Sequence, residues 1–205
     1  MTMKIIGLCG ISGSGKGTVS EYFKSVGIPV IDTDLVYREL TDGESECLSE
    51  LCAEFGNGIL SESGSLDRRA LSQIVFFGDG CETRRQRLNS IAHKHILNET
   101  RRRLREYANL GVELAVVDAP LLFESGFDKE CDLVVGVLAD RDACIKRICS
   151  RDGLTLEQAQ GRIDSQLTSE QIRSRSNFVI WNNSTTDALM SAAAELLNKI
   201  KLETK

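Results

Sequence analysis

Gly10, Gly15 and Lys16 stand in the spacing G-x-x-x-x-G-K, directly after the apolar run Lys4 to Cys9 and directly before a helical pattern carried by Val19, Tyr22, Phe23 and Val26. Glycines at 10, 13 and 15 let a backbone turn sharply and approach a polyphosphate so closely that its amides donate to phosphate oxygens, while a lysine at the mouth of a helix adds a mobile positive charge. Residues Gly13, Ser14, Gly15, Lys16, Gly17 and Thr18 therefore read as a P-loop for a nucleoside triphosphate. The pattern departs from the usual one at one place: the hydroxyl residue expected straight after the lysine is replaced by Gly17, and Thr18 follows one position later. A bare motif of this kind arises by chance in ordinary compositions. Strand, loop and helix in the required order give it its weight.

Two aspartates and a group of arginines extend the chemistry. Parallel αβ sheets bind ligands at the carboxyl ends of their strands, and there Asp32 closes the run Ile28 to Asp32 while Asp118 closes the run Val112 to Asp118. Both are expected to face the crevice that holds the phosphates. Asp32 suits accepting a proton from an attacking hydroxyl or orienting it, and Asp118, in a Walker-B-like place, suits holding magnesium through water. The plainer readings are a helix cap for Asp32 and a strand-end hydrogen bond for Asp118. Later come Arg147, Arg151, Arg162, Arg173 and Arg175. Arg147 and Arg151 share a helix face by their spacing, as do Arg162 and Gln166. Most such charge runs are solvated surface, but beside a P-loop a mobile arginine-bearing segment fits a lid that closes on phosphate. The pair His93 and His95 has no further ligands at metal-binding spacing.

The elements that must position these groups are legible in outline. Five β-rich runs, at 4–9, Ile28 to Asp32, Val112 to Asp118, Asp132 to Ala139 and Phe178 to Trp181, alternate with helical patterns. That alternation predicts an α/β fold of three layers around a five-stranded parallel sheet. The sheet core is expected in residues 1–35, 111–140 and 176–205, interrupted by a helical insert at 36–110 that covers a substrate and by a short helical lid at 141–175. Within the insert, Cys47, Leu48, Leu51, Cys52 and Phe55 repeat as one helix face, Gly56 and Gly58 stop it, and Asp67 is placed to cap a helix carrying Leu71, Ile74 and Val75. A third helix carries Leu88, Ile91, Ala92, His95 and Ile96. Thr155 to Gln158 spell a capping box ahead of Ala159 and Ile163, and a last helix uses Leu189, Ala193, Leu196 and Ile200.

Bulk composition narrows the classes. The 205 residues allow one substantial core with inserts. A net charge of −5 argues against a general nucleic-acid or membrane-surface binder, which carries a broad basic field. Seven cysteines without a C-x-x-C read as free, mostly buried thiols in a reducing compartment. With no apolar stretch of membrane-spanning length and no signal-peptide pattern ahead of the first strand, a cytoplasmic location is expected.

Along nearly its whole length the sequence resembles the dephospho-coenzyme A kinases. The resemblance rests on the P-loop, on Asp32-Thr33-Asp34 with Arg38, on Phe55-Gly56 and Ile59-Leu60, and on Gly64-x-Leu66-Asp67-Arg68-x-x-Leu71. It continues through Val75-Phe76, Leu88-Asn89-x-Ile91-x-His93, Asp118 to Glu124, Arg147-x-x-x-Arg151, Arg162-Ile163-x-x-Gln166 and Val179-Ile180-x-Asn182. It implies a P-loop kinase fold with a helical acceptor-binding insert and a lid. It also implies ATP and Mg2+ as donor and metal, and transfer of the γ-phosphoryl group to the ribose 3′-hydroxyl of dephospho-coenzyme A, with no nucleic-acid or membrane partner and a monomer or weak homo-oligomer. Carried over by position, Lys16, Asp32, Arg147 and Arg151 are catalytic, the P-loop residues 13–18 and Asn182 bind nucleotide, and Thr18 and Asp118 hold the metal. Asp34, Arg38, Arg68, His93 and Leu121 fall on the acceptor side. Gly17, Thr33, Asn89 and Lys94 depart from the family pattern, and only Gly17 touches the chemistry, at the metal. Another small-molecule kinase of the same architecture and a non-catalytic nucleotide switch are the competing readings; the lack of an N-K-x-D motif weighs against a guanine-reading switch.

Overall fold

The structure, a computed structural model, describes residues 3–202. The apolar run at the start forms β1 (Lys4–Cys9), and α1 (Lys16–Ser25) follows the glycine turn. Then come β2 (Val30–Asp32), α2 (Thr33–Glu39), α3 (Glu46–Phe55), α4 (Arg68–Phe76) and α5 (Cys81–Asn109). The chain returns through β3 (Leu114–Asp118), β4 (Leu133–Leu138), α6 (Arg141–Asp152), α7 (Leu156–Asp164), α8 (Ser169–Arg175), β5 (Phe178–Trp181) and α9 (Thr186–Leu202). The strands form one five-stranded sheet in the order β2-β3-β1-β4-β5, with parallel pairing of β1 to β3, β1 to β4 and β4 to β5. The α/β class and the five strands are as the sequence predicts.

Being central, β1 is buried on both faces, as parallel strands are: Ile6 and Leu8 on one face have no exposed surface, and Gly7 and Cys9 on the other are buried too. Its register pairs Leu8 with Asp118 on one side and Cys9 with Gly136 on the other. The loop after β1 therefore leaves the sheet between the ends of β3 and β4, and Asp118 lies level with the last turn of the strand that feeds it. Val19 and Phe23 of α1 and Leu189, Ala193, Leu197 and Ile200 of α9 close over the strands in a common core. Leu197 takes the place in that stripe expected for Leu196, which is only partly buried; both spacings suit a 3.6-residue period.

Strand ends are shorter than the apolar runs suggest, for local reasons. Pro29 has no amide for a ladder, and Ile28 N instead donates to Phe23 O in the turn after α1, so β2 begins at Val30. Val112 N closes the end of α5 on Tyr107 O, so β3 begins at Leu114.

The chain divides into two compact units, residues 1–31 with 107–205 and residues 32–106. The second has its own core of Cys47, Leu48, Leu51, Ile59, Leu66, Leu71, Val75 and Ile91. Asp67 caps α4 as the sequence indicates, accepting from Arg69 N and Ala70 N, and Ser45 caps α3 by accepting from Leu48 N. The third insert helix is far longer than its apolar positions show, with 29 residues. Charge explains the extension. Glu99 accepts from Arg102 and Arg103 within α5, and Arg103 also pairs with Glu39 of α2.

Those arginines, Arg102 first, hold the Glu99 carboxyl down at about 2. A depressed carboxyl stabilises the fold above its unfolded pKa and loses that contribution as pH falls toward its folded value. Glu99→Gln is expected to cost about 1 kcal/mol at neutral pH, given the partial exposure of the ion pairs. In denaturant titrations of the two proteins the gap should narrow between about pH 4.5 and pH 2; a gap constant across that window would contradict the assignment.

Candidate active site

The loop between β1 and α1 is shaped for close approach. Gly13 and Gly15 have φ of 79° and 98°, a left-handed geometry that side chains rarely adopt. A Cβ on Gly13 would come within 2.6 Å of Cys144 O, and one on Gly15 would run into the Asn182 amide. Gly15 caps α1 without any side-chain hydrogen bond, so the first turn of the helix presents its amides outward. Alternating loop conformations of this kind gather amides into an anion-binding concavity.

Its carbonyl side is held by the rest of the first unit. Asn182 Nδ2 donates to Ser14 O at 2.8 Å, and Arg147 donates from Nη1 to Gly13 O and from Nη2 to Asn182 O, both at 3.0 Å. Asn182 is itself fixed by its amide on Leu138 O at 2.7 Å. Farther along, Ser12 N donates to Gln166 Oε1 at 2.9 Å and Ser12 Oγ accepts from Arg162 Nε at 3.1 Å. The carbonyls of Gly13 and Ser14 are thus bound from behind, and of the loop amides Ser12 N is spent on Gln166 and Ser14 N on Ile11 O, so the amide face offered to a ligand is that of Gly13, Gly15 and the first turn of α1. Ser14 Oγ is buried without a hydrogen-bond partner, the kind of buried polar atom that is rare away from functional sites.

Lys16 reaches back from the first turn of α1 and forms an ion pair with Asp118, whose side chain is 4% exposed. Asp118 is withdrawn from water and Lys16 is 17% exposed, so the pair is partly buried, and removing one partner is expected to cost less than the roughly 3–5 kcal/mol of a fully buried pair. Beside the loop, Gly13, Gly15, Lys146, Arg147, Ser150 and Arg151 line a cavity of about 490 Å³. Arg151 is there, but its guanidinium is bound bidentately to Asp152 at 2.7 and 2.8 Å, and Arg162 donates to the same carboxylate at 2.9 Å. Of the five late arginines, 147, 151 and 162 thus gather at the loop. Arg175 instead stacks over Phe123 at 4.0 Å and approaches Asp128, and Arg173 pairs with Glu170.

In the second unit, Asp32 caps α2: its Oδ1 accepts from Asp34 N at 2.9 Å and Leu35 N at 3.1 Å, leaving Oδ2 outside the cap. Arg38 and Asp34 are exposed on α2. Arg68 donates to Thr41 Oγ1 at 3.0 Å and lies 3.4 Å from Asp42. His93 is half-buried on α5, and His95 and Lys94 both bind Glu50 at 2.7 Å, which lowers the Glu50 carboxyl, Lys94 contributing most. Leu121, in the first unit, is 41% exposed. Sequence reasoning did not anticipate the contacts of Asn182, Gln166 and Arg162 with the loop, nor Asp152. The spacing of Arg162 and Gln166 on one face and the resemblance that set Asn182 beside the nucleotide were the signals that pointed toward them; Asp152 had none.

A parallel sheet whose central strand feeds a glycine loop, with a lysine paired to a strand-end aspartate and arginines at the loop's flank, defines a P-loop kinase. The family model described as dephospho-CoA kinase matches residues 4–188, and the chain belongs to that family. It is 36% identical to a dephospho-CoA kinase of Corynebacterium glutamicum over 95% of this chain and 96% of the relative, and 38% identical to one of Arabidopsis thaliana over 97% and 84%. In structure it is similar to a protein from Thermus thermophilus, with a TM-score of 0.78, 30% identity and 97% and 98% of the two chains covered. A dephospho-CoA kinase from Campylobacter jejuni shares the fold with a TM-score of 0.73 at 23% identity over 98% of each chain.

Because Asn182 is the only buried side chain bracing Ser14 O among the contacts described, Asn182→Ala is expected to weaken ATP binding about tenfold and to lower stability by about 1–2 kcal/mol through the unpaired carbonyl. Calorimetric titration and denaturant unfolding measure the two effects, and undiminished ATP affinity would show that the loop does not need this brace.

Proposed function

We propose that the chain transfers the γ-phosphoryl group of ATP to the ribose 3′-hydroxyl of dephospho-coenzyme A, yielding coenzyme A and ADP, the last step of coenzyme A synthesis. The observation that carries this reading is the family match over residues 4–188 in a chain that keeps Lys16 paired with the buried Asp118 under a framed phosphate loop. The triphosphate accepts from the loop amides, and its negative charge draws Lys16 from Asp118 onto the β- and γ-phosphate oxygens. Phosphoryl transfer needs positioning and charge stabilisation more than covalent help. Arg147, fixed by two carbonyls, supplies a stationary positive charge at the loop, and Arg151, forked on Asp152, supplies a second at the cavity wall. Asp32 keeps Oδ1 in the helix cap and uses Oδ2 to accept the proton of the attacking hydroxyl, which fixes the acid–base group on rigid backbone. Asn182 contributes to nucleotide binding by holding Ser14. We assign acceptor recognition to Asp34, Arg38, Arg68, His93 and Leu121.

One carboxylate and one hydroxyl beside the phosphate loop suit Mg2+, which keeps much of its water and binds through one or two carboxylates and the substrate's phosphates. Asp118 at the strand end and the Thr18 hydroxyl in the first turn of α1 are the residues that would hold it. When bound, the ion neutralises charge between the β- and γ-phosphates. Gly17 offers no hydroxyl there, and nothing lies within 4 Å of a Cβ at that position, so a serine is sterically admissible. Seven free cysteines support a reducing, cytoplasmic location, and among the described residues no helix is long and apolar enough to cross a membrane.

ADP release in a coupled assay is expected only when dephospho-coenzyme A and magnesium are both present; ADP formation indifferent to the acceptor would refute the reading. Asp32→Asn is expected to lower turnover by roughly 10²-fold or more while the protein still binds ATP. Turnover within twofold of the parent would remove the base assignment. Gly17→Ser should fold normally and stay within a few-fold of parental activity, whereas Thr18→Ala should raise the magnesium requirement by about tenfold, read from metal titrations of the rate.

A further inference from the structure

Arg151 and Arg162 sit on different helices, α6 and α7, and their guanidinium groups converge on one carboxylate. Asp152 takes two hydrogen bonds from Arg151, at 2.7 and 2.8 Å, and one from Arg162 at 2.9 Å. Arg162 spends its Nε on Ser12 Oγ at 3.1 Å, one residue from Gly13. Gln166, one turn farther along the same stretch of chain, accepts from Ser12 N at 2.9 Å. A chain of contacts therefore runs from the P-loop through Arg162 to Asp152 and on to Arg151 at the wall of the 490 Å³ cavity. All of these residues belong to one compact unit.

Stability does not account for this arrangement. The side chains of Arg151 and Arg162 are 60% and 46% exposed, and ion pairs so exposed add little to folding. An acidic group next to a phosphate site also works against anion binding, since it cancels part of the positive field. What the carboxylate does supply is geometry. A bidentate fork fixes the plane of a guanidinium as a single long side chain in water is not fixed. The arginine forks, Arg151 foremost, keep the Asp152 carboxyl below its ordinary range, so it carries its charge throughout the neutral region.

We propose that Asp152 is a positioning residue for phosphoryl transfer: it aligns Arg151 and Arg162 against the P-loop and lowers ATP affinity somewhat in exchange for a correctly oriented cation at the transferring group. The inference rests on the kinase reading above for its rate effect, and on electrostatics alone for its binding effect. It gives Asp152 opposite influences on binding and turnover, which a residue needed only for local folding does not have.

The test uses the full-length protein with Asp152→Asn, Asp152→Glu, the double variant Arg151→Ala/Arg162→Ala, and that double variant carrying Asp152→Asn. Thermal melts come first, and all four are expected to melt close to the parent. For Asp152→Asn, kcat with dephospho-coenzyme A should fall about tenfold, as displaced catalytic groups do, while the calorimetric Kd for ATP should tighten about threefold because one negative charge has been removed. Asp152→Glu should recover most of the lost kcat. In the background lacking both arginines, Asp152→Asn should change kcat by less than about twofold, since the residue acts only through them. An unchanged kcat, an ATP affinity that is unchanged or weaker in Asp152→Asn, or a tenfold loss that persists without the arginines would each overturn the proposal. If the parent protein itself fails to phosphorylate dephospho-coenzyme A, the function assignment fails and the ATP titrations still decide the role of Asp152: tighter binding in Asp152→Asn supports it, and equal or weaker binding ends it.

Discussion

The pair between Lys16 and the buried Asp118 is the constraint around which the phosphate loop is arranged. A carboxylate at 4% exposure needs an opposite charge beside it, and Lys16, itself 17% exposed, supplies that charge. Placing the two together requires a strand that ends beside the phosphate loop, and the order β3-β1-β4 provides it: Leu8 pairs with Asp118, and the loop begins just beyond. The turn must also be tight enough for α1 to start with Lys16 facing back toward β3, which is why the left-handed positions 13 and 15 are glycines packed against Cys144 and Asn182. Sheet order, loop conformation and helix start are thus one solution to one electrostatic problem.

Around this pair the first unit has buried supports and exposed ones. The loop carbonyls are bound by buried or half-buried donors on Asn182 and Arg147, which brace the loop from behind. Beyond them, Arg151, Asp152 and Arg162 form contacts that are largely in water. Such contacts add little to stability; what they fix is the orientation of two guanidinium groups beside the loop. The helical unit of residues 32–106 carries its own core, so its exposed groups, including Arg38, can vary without disturbing the sheet.

Much of this was legible in the sequence because it is encoded locally. The phosphate loop, the Asp67 cap and the Thr155 capping box each depend on residues within a few positions of one another, and all three appear as read. Five strands followed from apolar runs, although Pro29 and the closing turn of α5 trimmed two of them by interactions that hydrophobicity does not register. Contacts between distant parts of the chain left no such trace. Nothing in the spacing indicates that Asn182 meets Ser14 or that Arg162 meets Ser12, separated by 168 and 150 positions. The late arginines looked alike in sequence and proved different in space, with Arg175 engaged by Phe123 and Asp128 rather than by the loop. Asp32 also takes the cap that was its plainer reading, in a way that leaves one oxygen for chemistry.

The most direct test of the central pair is the affinity for ATP in the absence of metal, compared between the parent and Asp118→Asn. If phosphate and Asp118 compete for Lys16, neutralising the carboxylate should leave metal-free ATP binding as tight as in the parent or a few-fold tighter, while Lys16→Met loses at least about tenfold through the missing charge. Metal-free binding that falls in Asp118→Asn as far as it does in Lys16→Met would contradict the account, because it would make the pair a structural unit that ATP does not open.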